Sequence, residues 1–216
     1  MVIVVAGIKG GTGKTTIATN LAIIRAQNAS DVLLIDADSQ SSAFDFSTVR
    51  EEEGHQPEIT CSSITGRGIS AEIRKLIPKF DDIIIDVGGR DTTTLRSALL
   101  VADVLVIPIL PSQFDSWAAE MMDHLVGEVC ELNQNLTSIL FLNKVDTNPK
   151  IDLTSETIDC LKEIKNLKYS EITIGYRVAF RRSIADGLAV TELKHRSDKK
   201  SIMEINKLYK EVFKNA

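Results

Sequence analysis

A run of glycines, lysines and threonines near the start of the chain has the composition and spacing of a phosphate-binding loop. It reads K-G-G-T-G-K-T-T over residues 9–16, between an apolar run and a helix-like pattern. Glycines let successive backbone amides converge on an anion, and a helix that starts there adds the positive end of its dipole. Lys14 would reach the β- and γ-phosphates of a nucleotide, and the Thr15 hydroxyl would bind Mg²⁺. The predicted nucleotide-binding residues of this loop are Lys9, Gly10, Gly11, Thr12, Gly13, Lys14, Thr15 and Thr16.

Acidic residues follow two further apolar runs. Asp36 and Asp38 come after the second run of the chain, and Asp86 comes after the third. A carboxylate at the tip of a central strand is costly unless a cation neutralises it. Mg²⁺ held by nucleotide oxygens is such a cation, since it usually takes one or two carboxylates and several waters. We therefore predict that Asp86 binds the metal and that the Gly88 amide contacts the γ-phosphate.

These residues need a scaffold that brings the ends of several strands to one edge. The apolar runs are continuous, as is typical of parallel strands covered on both faces, and helix-like segments separate them. This alternation predicts a doubly wound, mostly parallel α/β sheet flanked by helices, in a single domain over 1–216. The sequence gives the least clear pattern of helices and strands over 44–69, where 50–55 is predicted to be an exposed loop. Trp117 is expected to pack in the core. Predicted strands are 2–5, 32–35, 83–85, 104–107 and 139–142; predicted helices lie near 15–28, 70–79, 92–101, 114–132, 153–165, 179–187 and 198–214.

The net charge of −5 is unevenly distributed along the chain. Residues 177–216 hold ten Lys and Arg residues against five acids, so the negative excess lies in the preceding segment. A basic segment of this kind indicates a polyanionic partner, or else an ordinary solvated face. The three cysteines have no metal-ligand spacing, and the first apolar run is too short for a signal peptide or a membrane span. Reduced thiols and a cytoplasmic location are therefore expected.

The loop departs from the common pattern G-x-x-x-x-G-K-[ST]. Ile8 stands where the first glycine is expected, and Lys9 lies five residues before Lys14. This variant resembles the "deviant Walker A" loop of the ParA/MinD family of ATPases. Two longer segments are similar to plasmid and chromosome partition ATPases of that family: V-I-P-I-L-P-S-Q-F-D-S-W-A over 106–118, and R-V-A-F-R-R-S-I-A-D-G-L-A-V-T-E over 177–192.

The resemblance implies a P-loop ATPase with ATP and Mg²⁺ as cofactors, and a homodimer around ATP in which Lys9 reaches the phosphates bound by the partner subunit. In the family's D-x-D-P-Q switch, Asp36 would lie near Mg²⁺ and Asp38 would orient the attacking water. Here Ser39 replaces the proline of that switch, and the D-V-G-G segment 86–89 resembles a form found in some small partition ATPases. Hydrolysis is expected to be slow without a stimulating partner. The implied catalytic residues are Lys9, Lys14 and Asp38, and the implied metal ligands are Thr15, Asp36 and Asp86.

The choice of base is open between two nucleotides. The segment N-K-V-D over 143–146 fits the guanine motif N-K-x-D of small GTPases, in which the aspartate accepts hydrogen bonds from guanine. In ParA-like proteins an asparagine at this strand end contacts adenine instead. Because the Lys9-containing loop belongs to the ATP-binding family, we favour ATP over GTP. Asn143 is the predicted base-reading residue under either choice, while Asp146 could simply cap a turn before Pro149.

The resemblance to partition ATPases also implies non-specific DNA binding by the ATP-bound dimer and association with the nucleoid. Phosphate contacts from Lys and Arg would supply this binding without reading bases, so it should weaken steeply with salt. An adaptor, either ParB-like or a ribbon–helix–helix protein, would stimulate hydrolysis. The candidate DNA contacts are Arg181, Arg182, Lys199 and Lys200.

A MinD-like membrane switch is the alternative from another class. The C-terminal segment 202–213 has apolar residues at helical spacing with lysines between them, which would suit an anionic bilayer. A terminal helix that packs on the sheet explains the same spacing. Glu204 and Glu211 dilute the basic face of this segment, so we expect packing and not membrane binding.

Overall fold

The structure is a computed structural model that describes residues 1–28, 30–89, 91–111, 113–146, 153–194 and 198–214, with no side-chain detail for 113–116 and 153–156. Within these residues the chain forms one seven-stranded sheet in which every neighbouring pair of strands is parallel. The strand order is 3-2-4-1-5-6-7, so the first strand lies at the centre and the chain winds outward from it in both directions. This confirms the predicted doubly wound α/β architecture.

Strands and helices alternate from β1 to α7, and α8 follows α7 without a strand between them. The strands are β1 Val2–Val5, β2 Val32–Ala37, β3 Thr60–Ser63, β4 Asp82–Val87, β5 Val104–Ile109, β6 Thr137–Val145 and β7 Tyr169–Gly175. The helices are α1 Lys14–Gln27, α2 Ser42–Glu52, α3 Ile69–Leu76, α4 Thr92–Leu99, α5 Gln113–Cys130, α6 Leu153–Lys162, α7 Val178–Ala185 and α8 Lys199–Val212, with short 3₁₀ turns at Ile77–Lys79 and Val190–Glu192.

The core has two layers because successive side chains of each strand point to opposite faces of the sheet. In β1, Val2 and Val4 pack into the layer that α3, α4 and α5 cover, whereas Ile3 and Val5 pack into the layer beneath α1 and α8. All four side chains are buried, which explains why the run is continuously apolar. The carboxyl ends of β1, β2 and β4 therefore meet at one edge of the sheet.

No helix or strand was predicted over 44–69, and 50–55 was predicted to be an exposed loop; residues 51–54 are exposed, but the region is not a plain loop. It contains most of α2 and the edge strand β3, and Arg50 lies on α2 with only 2% of its surface exposed. The guanidinium is bidentate to Glu192, with distances of 2.9 and 3.0 Å, and also donates to the carbonyls of Pro57 and Gly187. The prediction that Arg50 lies in an exposed loop was therefore wrong, because its partner Glu192 lies 142 residues away in the sequence.

The structure also tests the sequence predictions at β7, Trp117 and α8. The strand β7 lacks a continuous apolar run and was not predicted; it is an edge strand with alternating burial. Trp117 is 53% exposed on α5, so its prediction as a core residue was wrong. The apolar face of α8 packs on the sheet through Ile205, Leu208 and Val212, as expected for a terminal helix.

Within the described residues, no helix is both long enough and apolar enough to cross a membrane. Ser112 of the segment 106–118 and Pro149 lie outside the part of the chain that the structure describes.

Candidate nucleotide site

The loop over residues 6–13 connects β1 to α1 at the carboxyl edge of the sheet, where doubly wound folds bind ligands. It borders a cleft of about 780 Å³. The loop side of this cleft is formed by Gly10, Gly11, Gly13, Lys14, Thr15 and Thr16, and the opposite side by Asp38, Ser39, Gln40, Ser42, Thr65, Gly88, Gly89 and Asp91. The tertiary structure thus brings together residues of the three sequence segments that were predicted to bind phosphates, Mg²⁺ or the attacking water.

The backbone of the loop takes conformations that favour glycine. Gly11 has φ +78° and Gly13 has φ +95°, in the left-handed region. A Cβ atom on Gly13 would also lie 2.5 Å from Nδ2 of Asn143, so any side chain at this position would displace that amide. Thr12 lies between these two glycines and is buried.

Lys14 is the buried cation of the cleft, with 7% of its surface exposed. Its Nζ donates to the carbonyl of Lys9 at 3.0 Å. Burial lowers the pKa of Lys14, while the nearby carboxylates of Asp86 and Asp38 raise it and so oppose that effect. An anionic phosphate in the cleft would stabilise the charged ammonium directly.

The end of β4 provides a carboxylate with an unsatisfied oxygen. Asp86 is 1% exposed, and its Oδ2 accepts a hydrogen bond from Thr15 Oγ1 at 2.6 Å. Among the described residues nothing donates to its Oδ1. Burial raises the pKa of Asp86 to about 7, and the negative charge of Asp36 adds to that rise. A buried carboxylate of this kind calls for a cation, so Thr15 and Asp86 fit a Mg²⁺ ion bound together with nucleotide oxygens.

No group of three or more His, Cys, Asp or Glu residues that could hold a metal occurs within the described part of the chain. Mg²⁺ in nucleotide sites commonly takes only one or two carboxylates and completes its shell with phosphate oxygens and water. The arrangement of Asp86 and Thr15 is of this open kind.

Asp36 is fully buried, but its carboxylate is engaged by backbone amides. Oδ2 accepts from Ala43 and Phe44 at 2.8 and 2.9 Å, and Oδ1 accepts from Asp38 at 3.0 Å. These bonds satisfy orphan amides at the start of α2 and hold the turn before it. Asp36 therefore ties the end of β2 to α2, and its predicted role as a metal ligand stays a prediction.

Asp38 is half-buried, faces the cleft and lies against the end of β4. Its Oδ1 accepts from the amide of Gln40 at 3.1 Å. A Cβ atom on Gly88 would lie 2.7–2.9 Å from the Asp38 carboxyl group, and a Cβ on Gly89 would lie 3.0 Å from the carbonyl oxygens of Gly7 and Ile8. The Gly-Gly pair lets the carboxylate and the phosphate loop approach β4 closely. This gives a steric reason for the D-V-G-G segment noted in the sequence.

Asn143 ends the apolar part of β6 and is buried against the loop. Its Nδ2 donates to the carbonyl of Thr12 at 2.7 Å. It also borders a second, smaller cavity of about 110 Å³ on the other side of Gly13, with Tyr176, Phe180 and Arg181 among its lining residues. This cavity lies where a base attached to phosphates in the cleft would be expected. Base reading by Asn143 stays a prediction.

The remaining predicted residues lie at the surface. Lys9 is exposed at the loop, and its contact with a partner subunit stays a prediction. All four candidate DNA contacts are exposed, with Arg182, Lys199 and Lys200 on α7 and α8. Arg181 differs from these three because its guanidinium lies over the Tyr176 ring, 5.4 Å from the centroid, and borders the smaller cavity.

Sequence reasoning missed two residues that the structure places at the site. Lys144 donates from Nζ to the carbonyl of Gly11 at 2.7 Å and borders both the cleft and the smaller cavity. Tyr176 follows β7, which itself was not predicted. Lys144 is the second residue of the N-K-V-D segment, but only the asparagine and aspartate of that segment were assigned roles from the sequence.

Comparisons with known proteins agree with this architecture. The model of the family described as the CobQ/CobB/MinD/ParA nucleotide binding domain matches residues 3–190. The chain is 26% identical over 210 residues to the maintenance of carboxysome distribution protein A of Halothiobacillus neapolitanus, covering 96% of this chain and 94% of that protein.

Two solved structures have a similar fold. One is the ATP complex of a point variant of McdA from Cyanothece, with a TM-score of 0.77, 19% identity, and coverage of 99% of this chain and 96% of that one. The other is a putative plasmid partition protein of Borrelia burgdorferi bound to AMPPNP, with a TM-score of 0.72, 22% identity, and coverage of 98% and 97%.

Proposed function

The chain belongs to the CobQ/CobB/MinD/ParA family of nucleotide-binding domains, whose ParA and MinD members are ATPases, and we propose that it is a ParA-type positioning ATPase. In this proposal it forms a dimer around ATP, binds DNA without sequence preference and moves a cargo when an adaptor stimulates hydrolysis. Relatives named for carboxysome distribution and for plasmid partition suggest two kinds of cargo, a protein assembly and a DNA molecule.

The observation that carries the proposal is the convergence of one buried lysine and two carboxylates on a glycine-rich cleft. Phosphoryl transfer depends on positioning and charge neutralisation more than on covalent chemistry. Lys14 would neutralise charge on the β- and γ-phosphates, and Thr15 with Asp86 would hold Mg²⁺, which offsets the negative charge of the phosphates. Asp38 would accept a hydrogen bond from the attacking water, and the Gly88 amide would contact the γ-phosphate.

Dimerisation follows in this proposal from the exposed position of Lys9. Its backbone carbonyl is held by Lys14 inside the protomer, whereas its side chain is exposed at the edge of the cleft. A second subunit facing the cleft would bring its own lysine to the phosphates and would cover the open side of the cleft. Exclusion of water there would strengthen every charge interaction with the γ-phosphate.

DNA binding would use the exposed lysines and arginines of α7 and α8. Because these contacts go to phosphates, the affinity should fall with increasing salt for any sequence. Arg177 is not available for this purpose, since its guanidinium is paired with Glu204 at 2.6 Å. The proposed surface consists of Arg182, Lys199 and Lys200, while Arg181 borders the smaller cavity.

Membrane binding through α8 is less well supported than DNA binding. An interfacial helix must present its apolar face to lipid, but Ile205, Leu208 and Val212 are already buried against the sheet. Detaching this helix would expose those side chains to water.

The test is binding to random-sequence duplex DNA and to anionic liposomes in parallel, with ATP, ADP, GTP or no nucleotide and at several salt concentrations. We expect DNA binding only with ATP, and we expect it to weaken as salt increases. Variants of Lys199 and Lys200 to glutamine should lose affinity and show a smaller salt slope, with Lys75→Gln on α3 as a matched control. Liposome binding without DNA binding, or a response to GTP alone, would contradict the proposal.

A further inference from the structure

Side-chain donors hold three carbonyls of the phosphate loop. Lys14 Nζ donates to the carbonyl of Lys9, Lys144 Nζ to that of Gly11, and Asn143 Nδ2 to that of Thr12. The distances are 3.0, 2.7 and 2.7 Å. Two of the three donors come from consecutive residues at the end of β6, which is far from the loop in sequence.

These bonds fix the direction of the loop amides. In a planar trans peptide the carbonyl of one residue and the N–H of the next point in opposite directions. A donor that holds the Gly11 carbonyl therefore turns the Thr12 N–H away from itself, and a donor on the Thr12 carbonyl does the same to the Gly13 N–H. An anion site made of backbone amides requires this shared orientation.

Lys144 holds its position at a cost to its own backbone. Its φ is +54°, in the left-handed region that non-glycine residues rarely occupy. Such a conformation persists where surrounding contacts determine it, often at functional sites. Lys144 also borders both the phosphate cleft and the smaller cavity next to Asn143, as do Gly13, Thr16 and Ile184.

We propose that Lys144 is a positioning residue for nucleotide binding, which acts by holding the Gly11 carbonyl so that the Thr12 amide faces the phosphates. The inference rests on the proposed nucleotide site. It assigns no contact with the base and no direct part in hydrolysis to Lys144. Lys144 would therefore affect the affinity for any nucleoside di- or triphosphate, whatever base is attached.

The test compares Lys144→Met, which keeps an unbranched side chain one atom shorter but removes the donor, with Lys144→Arg, which retains a donor. We expect Lys144→Met to weaken ADP about tenfold and pyrophosphate by a similar factor, because a hydrogen bond from a charged donor is lost. Lys144→Arg should recover most of the affinity. Lys75→Met, an exposed lysine of α3 paired with Glu72, is the matched control and should behave as the wild type.

Hydrogen exchange of the nucleotide-free protein gives an independent measurement. The amides of residues 10–13 should exchange faster in Lys144→Met than in the wild type, with the core strands unchanged. The proposal is overturned if ADP affinity is unaffected, or if ADP weakens while pyrophosphate does not, which would make Lys144 a wall of the base cavity. If the wild type itself failed to bind ADP, the proposed function would fail, and the exchange rates would still decide the role of Lys144.

Discussion

Asp86 and Lys14 carry charges that burial disfavours and that their mutual attraction offsets only in part. Asp86 has an unsatisfied Oδ1 and a pKa raised by burial, and Lys14 has a pKa lowered by burial. Each charge is unfavourable in the empty cleft, and each would be compensated by a metal–nucleotide complex. Holding these charged groups in a buried position costs stability that a purely apolar core would keep.

Asp86→Asn should raise the stability of the nucleotide- and metal-free protein, and the gain should grow with pH. Since the pKa of Asp86 is raised from about 4 when unfolded to about 7 when folded, the folded wild type binds more protons in this window. Its free energy of unfolding therefore falls as pH rises from 4 to 7 relative to the variant, by on the order of 2–4 kcal/mol. Urea unfolding in EDTA at pH 5 and pH 8 measures the difference.

If the difference in free energy of unfolding between the wild type and Asp86→Asn were the same at both pH values, the raised pKa of Asp86 would be contradicted. The same variant should lose Mg²⁺-dependent nucleotide affinity, so the substitution separates stability from function at one residue.

Asp38→Ala should retain ATP binding but lower the rate of hydrolysis by about 100-fold or more, because positioning of the attacking water is lost. Binding of a fluorescent ATP analogue and release of phosphate are measured in the same preparation. Hydrolysis at the wild-type rate would show that another group orients the water.

At the scale of elements, the site exists because β4 approaches the phosphate loop without side chains between them. Gly88 gives room to the Asp38 carboxylate, and Gly89 lies against the carbonyls of Gly7 and Ile8. Asp91, which also borders the cleft, caps α4 by accepting from the Thr94 amide at 2.9 Å.

Gly89→Ala should weaken nucleotide binding by about tenfold or more, because a methyl group at 3.0 Å from two loop carbonyls must push the loop away. Gly68→Ala is the control, since its Cβ meets nothing within 4 Å and its φ of −79° is open to alanine. Calorimetric titration with ADP measures both. Equal affinities for the two variants would mean that the loop tolerates the displacement.

At the scale of the whole molecule, Arg50 and Glu192 join two segments that flank the site. The helix α2 follows the turn that carries Asp38, and the segment with Glu192 follows α7, which borders the smaller cavity. The pair is bidentate, and Glu192 also accepts from the Ala189 amide at 2.8 Å. The two ends of the nucleotide site are thus connected through a buried ion pair.

Arg50→Met should destabilise the protein by roughly 3–5 kcal/mol, because it leaves the Glu192 carboxylate partly buried without its cation. Urea unfolding gives the free energy, with the exposed Arg74→Met of α3 as the control. If Arg50→Met lost no more free energy of unfolding than the control, the ion pair itself would contribute nothing to stability.

Much of the fold could be predicted from local patterns. The continuous apolar runs predicted the five central strands, and the glycine-rich loop predicted the start of α1 within one residue. The edge strands β3 and β7 were missed because an edge is buried on fewer sides, so its residues need no apolar run. Trp117 was misplaced because its surroundings on α5 depend on tertiary packing, which a local pattern does not record.

The sequence by itself determined the chemistry of the phosphate loop, since glycine spacing and lysine position act within a few residues of one another. It also determined the alternation of strands and helices, because periodicity is a local property of the chain. Only the tertiary structure decided that Arg50 is buried against Glu192, that Asp36 caps α2, and that Lys144 holds the Gly11 carbonyl. Each of these depends on segments that meet only when the parallel sheet is assembled, and a contact between distant segments leaves no periodic signal in the sequence.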